Sequence, residues 1–306
     1  MSKRTLAIIA AFFATLIYGL NHSIAKEAMP TYVQPFAFIF LRVAGAALLF
    51  WCIAPFAPKQ KIERNDWWRI IVCSIAGMVI NMLAFFKGIQ LSTPINSAVL
   101  VTITPIIVVL LSALFIKEKI TLTKGLGVFL GLVGAVTLIL FGAEVRADAP
   151  NIPLGNFLFL VNATFYGTYL ILVKKLIEKY HPFVLLKWLF TIAVFVNLPI
   201  TFSEVTAIEW SSLPLNIIGA IVFVVLGTTF GTYVLNAFAL TQLKASTIGA
   251  FVYLQPLIGV LFALFIGKDQ LTTVKLFAMA LVLVGVYLAS KQPRNKTSIP
   301  TKTSNN

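Results

Sequence analysis

Long runs of apolar residues follow one another along nearly the whole chain, separated by short polar connections. In helical form, a run of about 20 apolar residues crosses a hydrocarbon core of roughly 30 Å, because each residue adds about 1.5 Å. The pattern therefore predicts an all-α integral membrane protein with ten transmembrane helices. The predicted spans are 5–25, 34–56, 67–90, 94–116, 121–142, 152–175, 182–203, 214–240, 245–267 and 272–290.

Composition and charge agree with a membrane protein. Hydrophobic residues make up 59% of the chain and charged residues 11%, whereas a soluble domain averages roughly 25% charged residues. A net charge of +14 is also typical of nucleic-acid binding, but the cations follow the predicted membrane. With the N-terminus in the cytoplasm, 18 lysines and arginines fall on the inner side and four on the outer side, namely Lys26, Arg146, Lys268 and Lys275.

Cytoplasmic loops of membrane proteins are enriched in Lys and Arg. We therefore predict a multi-pass protein of the cell inner (plasma) membrane with both termini in the cytoplasm. Its partners are the lipid bilayer and a small-molecule substrate, with no nucleic acid. The polar tail 291–306 is predicted to be disordered.

The chain contains an internal repeat. One offset of 151 positions pairs Pro105 with Pro256, Glu118 with Asp269 and Gly134 with Gly285, and a weaker match pairs Tyr18-Gly19 with Tyr166-Gly167 and Pro35 with Pro182. We interpret 1–142 and 152–290 as two copies of a five-helix unit. An odd number of spans per unit makes the second copy enter the membrane from the opposite side. Such inverted repeats are typical of secondary transporters that work by alternating access.

Several motifs carry a family resemblance. They are YGLNHSIAK at 18–26, then Pro35 and Arg42, then SAVLVTITPIIVVLLSALFIKEKITLTKGLGVFLGLVGAV at 97–136 and STIGAFVYLQPLIGVLFALFIGKDQLTTVKLFAMALVLVGVYL at 246–288. Together they resemble the EamA-like branch of the drug/metabolite transporter superfamily. The resemblance implies a ten-helix transporter, mostly an exporter, of metabolites such as amino acids, with a central cavity between the repeats. Lys268-Asp269 stands where Gly-Glu is common in that family.

Polar residues of the first, fourth, sixth and ninth spans are the candidate substrate-binding groups. Facing polar stripes on repeat-related helices can build a hydrated cavity wall, while the alternative is hydrogen bonding between helices. The candidates are Tyr18, Asn21, Asn96, Thr104, Asn162, Tyr166, Tyr253 and Gln255.

Two prolines and two cations inside the spans need separate explanations. Pro105 and Pro256 are predicted to kink their helices. The kinks either free backbone carbonyls to line a substrate site or are needed only for helix packing. Arg42 and Lys87 are candidate gating or structural charges, and the alternative for both is that the stem reaches the outer headgroups. Glu118 and Asp269 are expected near helix N-termini. The glycines Gly127, Gly131 and Gly134 are expected to allow close helix packing, within the monomer or at a dimer seam.

The prediction is therefore an exporter or exchanger of small organic metabolites such as amino acids. A neutral or zwitterionic substrate is favoured, because the spans carry no repeated arginine cluster for a phosphate ester. The alternatives are a non-transporting regulatory or scaffold membrane protein and an intramembrane enzyme. Enzyme motifs such as HExxH, GxSxG and GxxxxGK[ST] are absent from the sequence, so we expect no enzyme activity, cofactor or metal. Substrate identity, energy coupling and oligomeric state stay open.

Overall fold

A computed structural model describes residues 2–115, 117, 120–142, 146–243, 251 and 254–290. Within this part, nine helices are long and apolar enough to cross a membrane, and no strand is present. A shorter apolar helix lies in the ninth predicted span, whose first residues, like the tail 291–306, are outside the described part. The helices are α1 Lys3–Ala28, α2 Pro35–Phe56, α3 Arg64–Leu91, α4 Pro94–Phe115, α5 Leu122–Phe141, α6 Ile152–Ile177, α7 Pro182–Thr206, α8 Leu215–Asn236 (helical to Gln242), α9 Leu254–Phe265 and α10 Thr273–Ser290.

Helices of the two halves pack on each other in matching pairs. Most contacts of α1 are with α8 and α9, and most of those of its counterpart α6 are with α3 and α4. The counterparts α2 and α7 pack on each other, as do α4 and α9, and α5 and α10. Each helix thus finds much of its packing surface on the opposite half, and the two halves share one apolar core.

Two helices contain a π-helical segment. In α3 the segment is Ile75–Ile80, and in α8 it is Phe223–Gly231. The offset of 151 carries 75–80 onto 226–231, which lies inside the second segment. Segments of this kind are often found at functional sites because they change the direction in which side chains point. Both halves therefore carry the same irregularity at the same place.

The helix α4 is interrupted directly before Pro105. Helix Pro94–Val101 ends four residues before the proline, and helix Thr104–Phe115 begins after two intervening residues, Thr102 and Ile103. Proline has no N–H to donate to the carbonyl four residues earlier, that of Val101. The Thr104 hydroxyl donates to this oxygen instead, at 2.8 Å. In α9, Pro256 falls in the first turn of the described helix and is buried.

Glycines bring α5 and α10 into backbone contact. A Cβ atom added at Gly285 would lie 2.5 Å from the Gly131 nitrogen and 2.7 Å from the Gly127 oxygen, so a larger residue would force the helices apart. Gly134 likewise faces Ala278 and Leu281 of α10. These glycines serve packing within the monomer, the first of the two alternatives.

Candidate functional site

Arg42 lies in the middle of the bundle. It follows Pro35 by seven residues on α2, and 9% of its surface is exposed. Its Nε donates to the Thr229 hydroxyl at 2.8 Å, and its guanidinium carbon lies 5.8 Å from the centroid of the Phe86 ring. Because Thr229 belongs to the π-helical segment of α8, that segment fixes the direction of the arginine.

Tyrosines from three helices lie in the same region as this arginine. Tyr18, Tyr166 and Tyr233 are all within electrostatic range of Arg42. The Tyr18 hydroxyl lies 3.0 Å from the Thr232 hydroxyl, and the Tyr166 ring stacks on Tyr169 with centroids 5.8 Å apart. The centre of the bundle therefore presents one cation and several phenol groups, which offer both hydrogen bonds and apolar ring faces.

Tyr18 and Tyr166 lie on helices that pack mainly on other helices. Their helices α1 and α6 do not pack extensively on each other, although the two phenols are within electrostatic range. Other parts of the described chain leave 36% of the Tyr166 surface uncovered. Tyr166 therefore offers uncovered surface within electrostatic range of Arg42.

Other predicted site residues bond to neighbouring helices or to their own. Asn162 donates to the Asn81 carbonyl and Asn81 donates to the Asn162 carbonyl, each at 3.0 Å, which joins α6 to α3. Asn96 is fully buried near the outer end and donates to Asn156 Oδ1 at 3.2 Å. The Thr104 hydroxyl donates to the Val101 carbonyl of its own helix. In this structure, these three side chains hold helices in place.

The remaining predicted residues are more varied. Asn21 is 4% exposed, and its Oδ1 has no hydrogen-bond partner within the described part of the chain. Gln255 is half-buried in α9, with its backbone oxygen close to Gly19 of α1. Lys87 donates to Gln90 Oε1 at 2.6 Å close to the end of α3, and its Nζ lies 5.9 Å from the centroid of the Phe36 ring. Tyr253 and Glu118 lie outside the described residues.

A buried group of charges lies at the end of the bundle that the sequence predicts to face outward. We call Arg146, Asp269 and Lys275 the outer charge cluster. Asp269 Oδ1 accepts from Arg146 and from Lys275, each at 2.9 Å, and its Oδ2 accepts from the Ile95 N–H at 3.0 Å. Asp269 thus binds the N-terminus of α4, rather than that of the helix that follows it in sequence.

Lys26 and Asp148 complete this end. The Lys26 ammonium group, 7% exposed, reaches the carbonyl oxygens of Ile89, Gln90 and Ser92 at 2.8 to 3.0 Å, and that of Asp148. Hydrogen bonds from Arg146 hold the pKa of the Asp148 carboxyl below its usual range. The sequence indicated outer loop cations, and no signal in it showed that Lys26 and Lys275 are buried.

A second group of charges lies at the opposite end, the predicted cytoplasmic end. We call Lys179, Glu63 and Asp66 the inner charge cluster. The Lys179 Nζ atom lies 2.5 Å from Glu63 Oε2 and 2.7 Å from Asp66 Oδ2, and the Lys179 side chain is 41% exposed. Hydrogen bonds with Asp66 and Glu63 raise the pKa of Lys179 above its usual value. Tyr180 also donates to Asp66, at 2.7 Å, so this cluster joins the two halves on the surface.

Comparisons with known proteins identify one family model and several similar transporters. The sequence model of the EamA-like transporter family matches twice, at residues 5–140 and 153–291. An uncharacterized transporter of Archaeoglobus fulgidus is 25% identical over 288 residues, which cover 94% of this chain and 98% of that protein. The uncharacterized transporter YetK of Bacillus subtilis is 22% identical, and the match covers 96% of this chain and 90% of YetK. An uncharacterized transporter of Helicobacter pylori is 26% identical, and the match covers 88% of this chain and 89% of that protein.

A solved crystal structure has a similar fold. It superposes with a TM-score of 0.61 at 18% identity, over 93% of this chain and 96% of its own. At this identity the likeness concerns the fold alone.

Proposed function

Because the chain belongs to the EamA-like transporter family, we propose that it moves small organic metabolites such as amino acids across the inner (plasma) membrane, as an exporter or exchanger. The relatives that match most of its length are likewise named transporters rather than enzymes. The observation that carries the proposal is the placement of Arg42, Tyr18 and Tyr166, from three different helices, within electrostatic range of one another, with part of the Tyr166 surface left uncovered.

Alternating access is the mechanism that we propose. The matching packing of the two halves supports it, because two equivalent arrangements of such halves can exchange and open the centre to each side in turn. The paired π-helical segments also support it, since one of them contains Thr229, the hydrogen-bond partner of Arg42, and both occur at the same position of the repeat. Inverted repeats, two units 1–142 and 152–290, and ten crossings are part of this proposal.

A neutral or zwitterionic substrate suits the centre best. Within the described residues, Arg42 is the one cation at this depth, and the acids lie at or near helix ends. A multiply charged phosphate ester calls for several cations, whereas tyrosine rings and one arginine suit a small molecule with apolar and polar parts. Asn21, with its unpartnered oxygen, is a further candidate contact.

The test is exchange in vesicles that contain only the purified protein. Vesicles loaded with unlabelled neutral L-amino acids are expected to take up the same amino acids in labelled form, and protein-free vesicles are not. Tyr166→Ala is expected to lower the rate, whereas Tyr287→Ala, a matched change on the exposed face of α10, is not. Failure of the wild-type protein to exchange any amino acid would count against this function and would favour a non-transporting role.

Orientation is tested separately. Single cysteines introduced at Ser304 and at Gln60 are expected to resist a membrane-impermeant thiol reagent in intact cells, whereas a cysteine at Thr31 is expected to react. Labelling of Ser304→Cys or Gln60→Cys in intact cells would contradict cytoplasmic termini.

A further inference from the structure

We infer that Arg42 binds a carboxylate group of the transported molecule, and that Thr229 is the residue that positions it. This inference rests on the proposed function and deepens it, because it names the chemical group that the central site selects. It follows from a difference between Arg42 and the other buried cations of the described chain.

The other buried cations are fully supplied with acceptors. Lys26 is surrounded by four carbonyl oxygens, and Lys275 contacts the Asp269 carboxylate and the Gln270 carbonyl. Their charges are therefore compensated by the protein itself, as burial of a charge requires.

Arg42 lacks such compensation within the described residues. Its contacts there are the Nε bond to the Thr229 hydroxyl and the approach to the Phe86 ring. Neither contact brings a negative charge, and its two terminal amino groups have no hydrogen-bond acceptor in the part of the chain that the structure describes. An arginine deep in a membrane protein without a counter-charge is costly. An anion bound beside Arg42 would remove that cost.

The way in which Arg42 is held favours a carboxylate. The Thr229 hydroxyl donates to the Val224 carbonyl at 3.1 Å and so can accept from Arg42 Nε. With Nε held in this way, the two terminal amino groups are left as a planar pair of donors. This pair matches the two oxygens of a carboxylate, which arginine binds through two parallel hydrogen bonds. Tyr18 and Tyr166, within electrostatic range, can contact the remainder of the molecule.

Selectivity for the acid over its amide is the first test. In the exchange assay, unlabelled neutral L-amino acids are expected to compete with the labelled ones, whereas the corresponding L-amino acid amides are not. Arg42→Gln is expected to lower exchange about 10- to 100-fold, the worth of a charge-assisted pair of hydrogen bonds. Equal competition by amides, or full exchange by Arg42→Gln, would overturn the inference and leave the proposed function standing.

The positioning role of Thr229 has a matched control. Thr229→Val removes the acceptor for Nε, and we expect the KM for amino acids to rise about tenfold, the worth of one hydrogen bond to a charged group, while the maximal rate stays close to that of the wild type. Thr228 lies beside it and is fully buried, and within the described residues its hydroxyl donates to the Val224 carbonyl alone, so Thr228→Val should leave KM unchanged. Equal effects of the two changes would assign Thr229 to packing alone.

A binding measurement separates this inference from the proposed function. Sodium propionate is expected to raise the melting temperature of the purified wild-type protein, whereas propionamide and an equal concentration of sodium chloride are not, and Arg42→Gln should abolish the effect. Without ligand, Arg42→Gln should melt at the same or a higher temperature than wild type, because an uncompensated charge is removed. A propionate effect without amino-acid exchange would contradict only the proposed function. Absence of a propionate effect, an equal effect of chloride, or a lower melting temperature of ligand-free Arg42→Gln would contradict the inference.

Discussion

At the outer end of the bundle, Asp269 is buried between Arg146 and Lys275, whereas at the inner end Lys179 pairs with Glu63 and Asp66 on the surface. Both clusters join parts of the chain that are far apart in sequence. They differ in their access to water, since the Asp269 and Lys275 side chains are fully buried and that of Lys179 is 41% exposed.

This difference in burial decides how much each cluster contributes to the stability of the fold. Water and salt screen an exposed pair, which therefore adds little to stability. Removing one partner of a buried pair leaves a charge that neither water nor protein compensates, and this is strongly destabilising. The outer charge cluster is therefore expected to stabilise the packing at its end of the bundle more strongly than the inner charge cluster does at the opposite end. In alternating access, opening the outer end would have to move or separate the buried charges.

The largest expected effect is that of Asp269→Asn. The change leaves Arg146 and Lys275 near a neutral group, and we expect a loss of about 3–5 kcal/mol in the free energy of unfolding. The measurement is denaturant unfolding of the purified protein. The matched control is Asp148→Asn, which also removes a pair with Arg146 but at a half-exposed carboxylate. Equal losses in the two variants would show that burial is not the deciding factor.

Lys26→Met is expected to rank next. It removes the donor for the carbonyl oxygens at the end of α3, and a buried acceptor left without a partner costs about 1–3 kcal/mol. Unfolding should therefore shift less than in Asp269→Asn, and hydrogen exchange should rise in 146–151, where the Asp148 carbonyl loses its bond. Stability equal to wild type would mean that water replaces the ammonium group there.

Lys179→Met should have no measurable effect on thermal unfolding in buffer with physiological salt. The exposed pairs that it removes are screened. At low salt a small decrease is expected. A loss as large as that of Lys26→Met would contradict the contrast between the two ends.

The smallest effects concern pH, and they have opposite signs. The lowered pKa of Asp148 means that its stabilising effect is present above its ordinary pKa, about 3.9, and is lost as the pH falls through the lower folded value. The raised pKa of Lys179 means that its effect is present below its ordinary pKa, about 10.4, and is lost as the pH rises through the higher folded value. Hydrogen exchange, corrected for its intrinsic pH dependence, should increase first at 146–151 in acid and at 178–181 in alkali. The reverse order would contradict both assignments.

Residues of the candidate site were predictable only in part. Tyr18 and Tyr166 were predicted because each belongs to a polar stripe on one of two repeat-related helices. Thr229 and Tyr233 were missed, although the run GTTFGTY at 227–233 places polar residues and glycines in the middle of an apolar helix. That interruption was the available signal. The pairing of Asn162 with Asn81 had no such signal, because the partner lies on another helix.

The sequence by itself determined that the chain forms membrane helices, close to where they begin and end, and which family the chain belongs to. These features depend on local properties: a helix satisfies its own backbone hydrogen bonds, so about 20 apolar residues in a row are enough to specify a crossing. Only the tertiary structure decided which side of each helix meets which neighbour. The π-helical segments turn the side chains of α3 and α8. Contacts between distant parts of the chain then bury Lys275 beside Asp269 and leave Arg42 without a counter-charge among the described residues. Such outcomes depend on pairs of residues far apart in the chain, and hydrophobic periodicity carries no information about them.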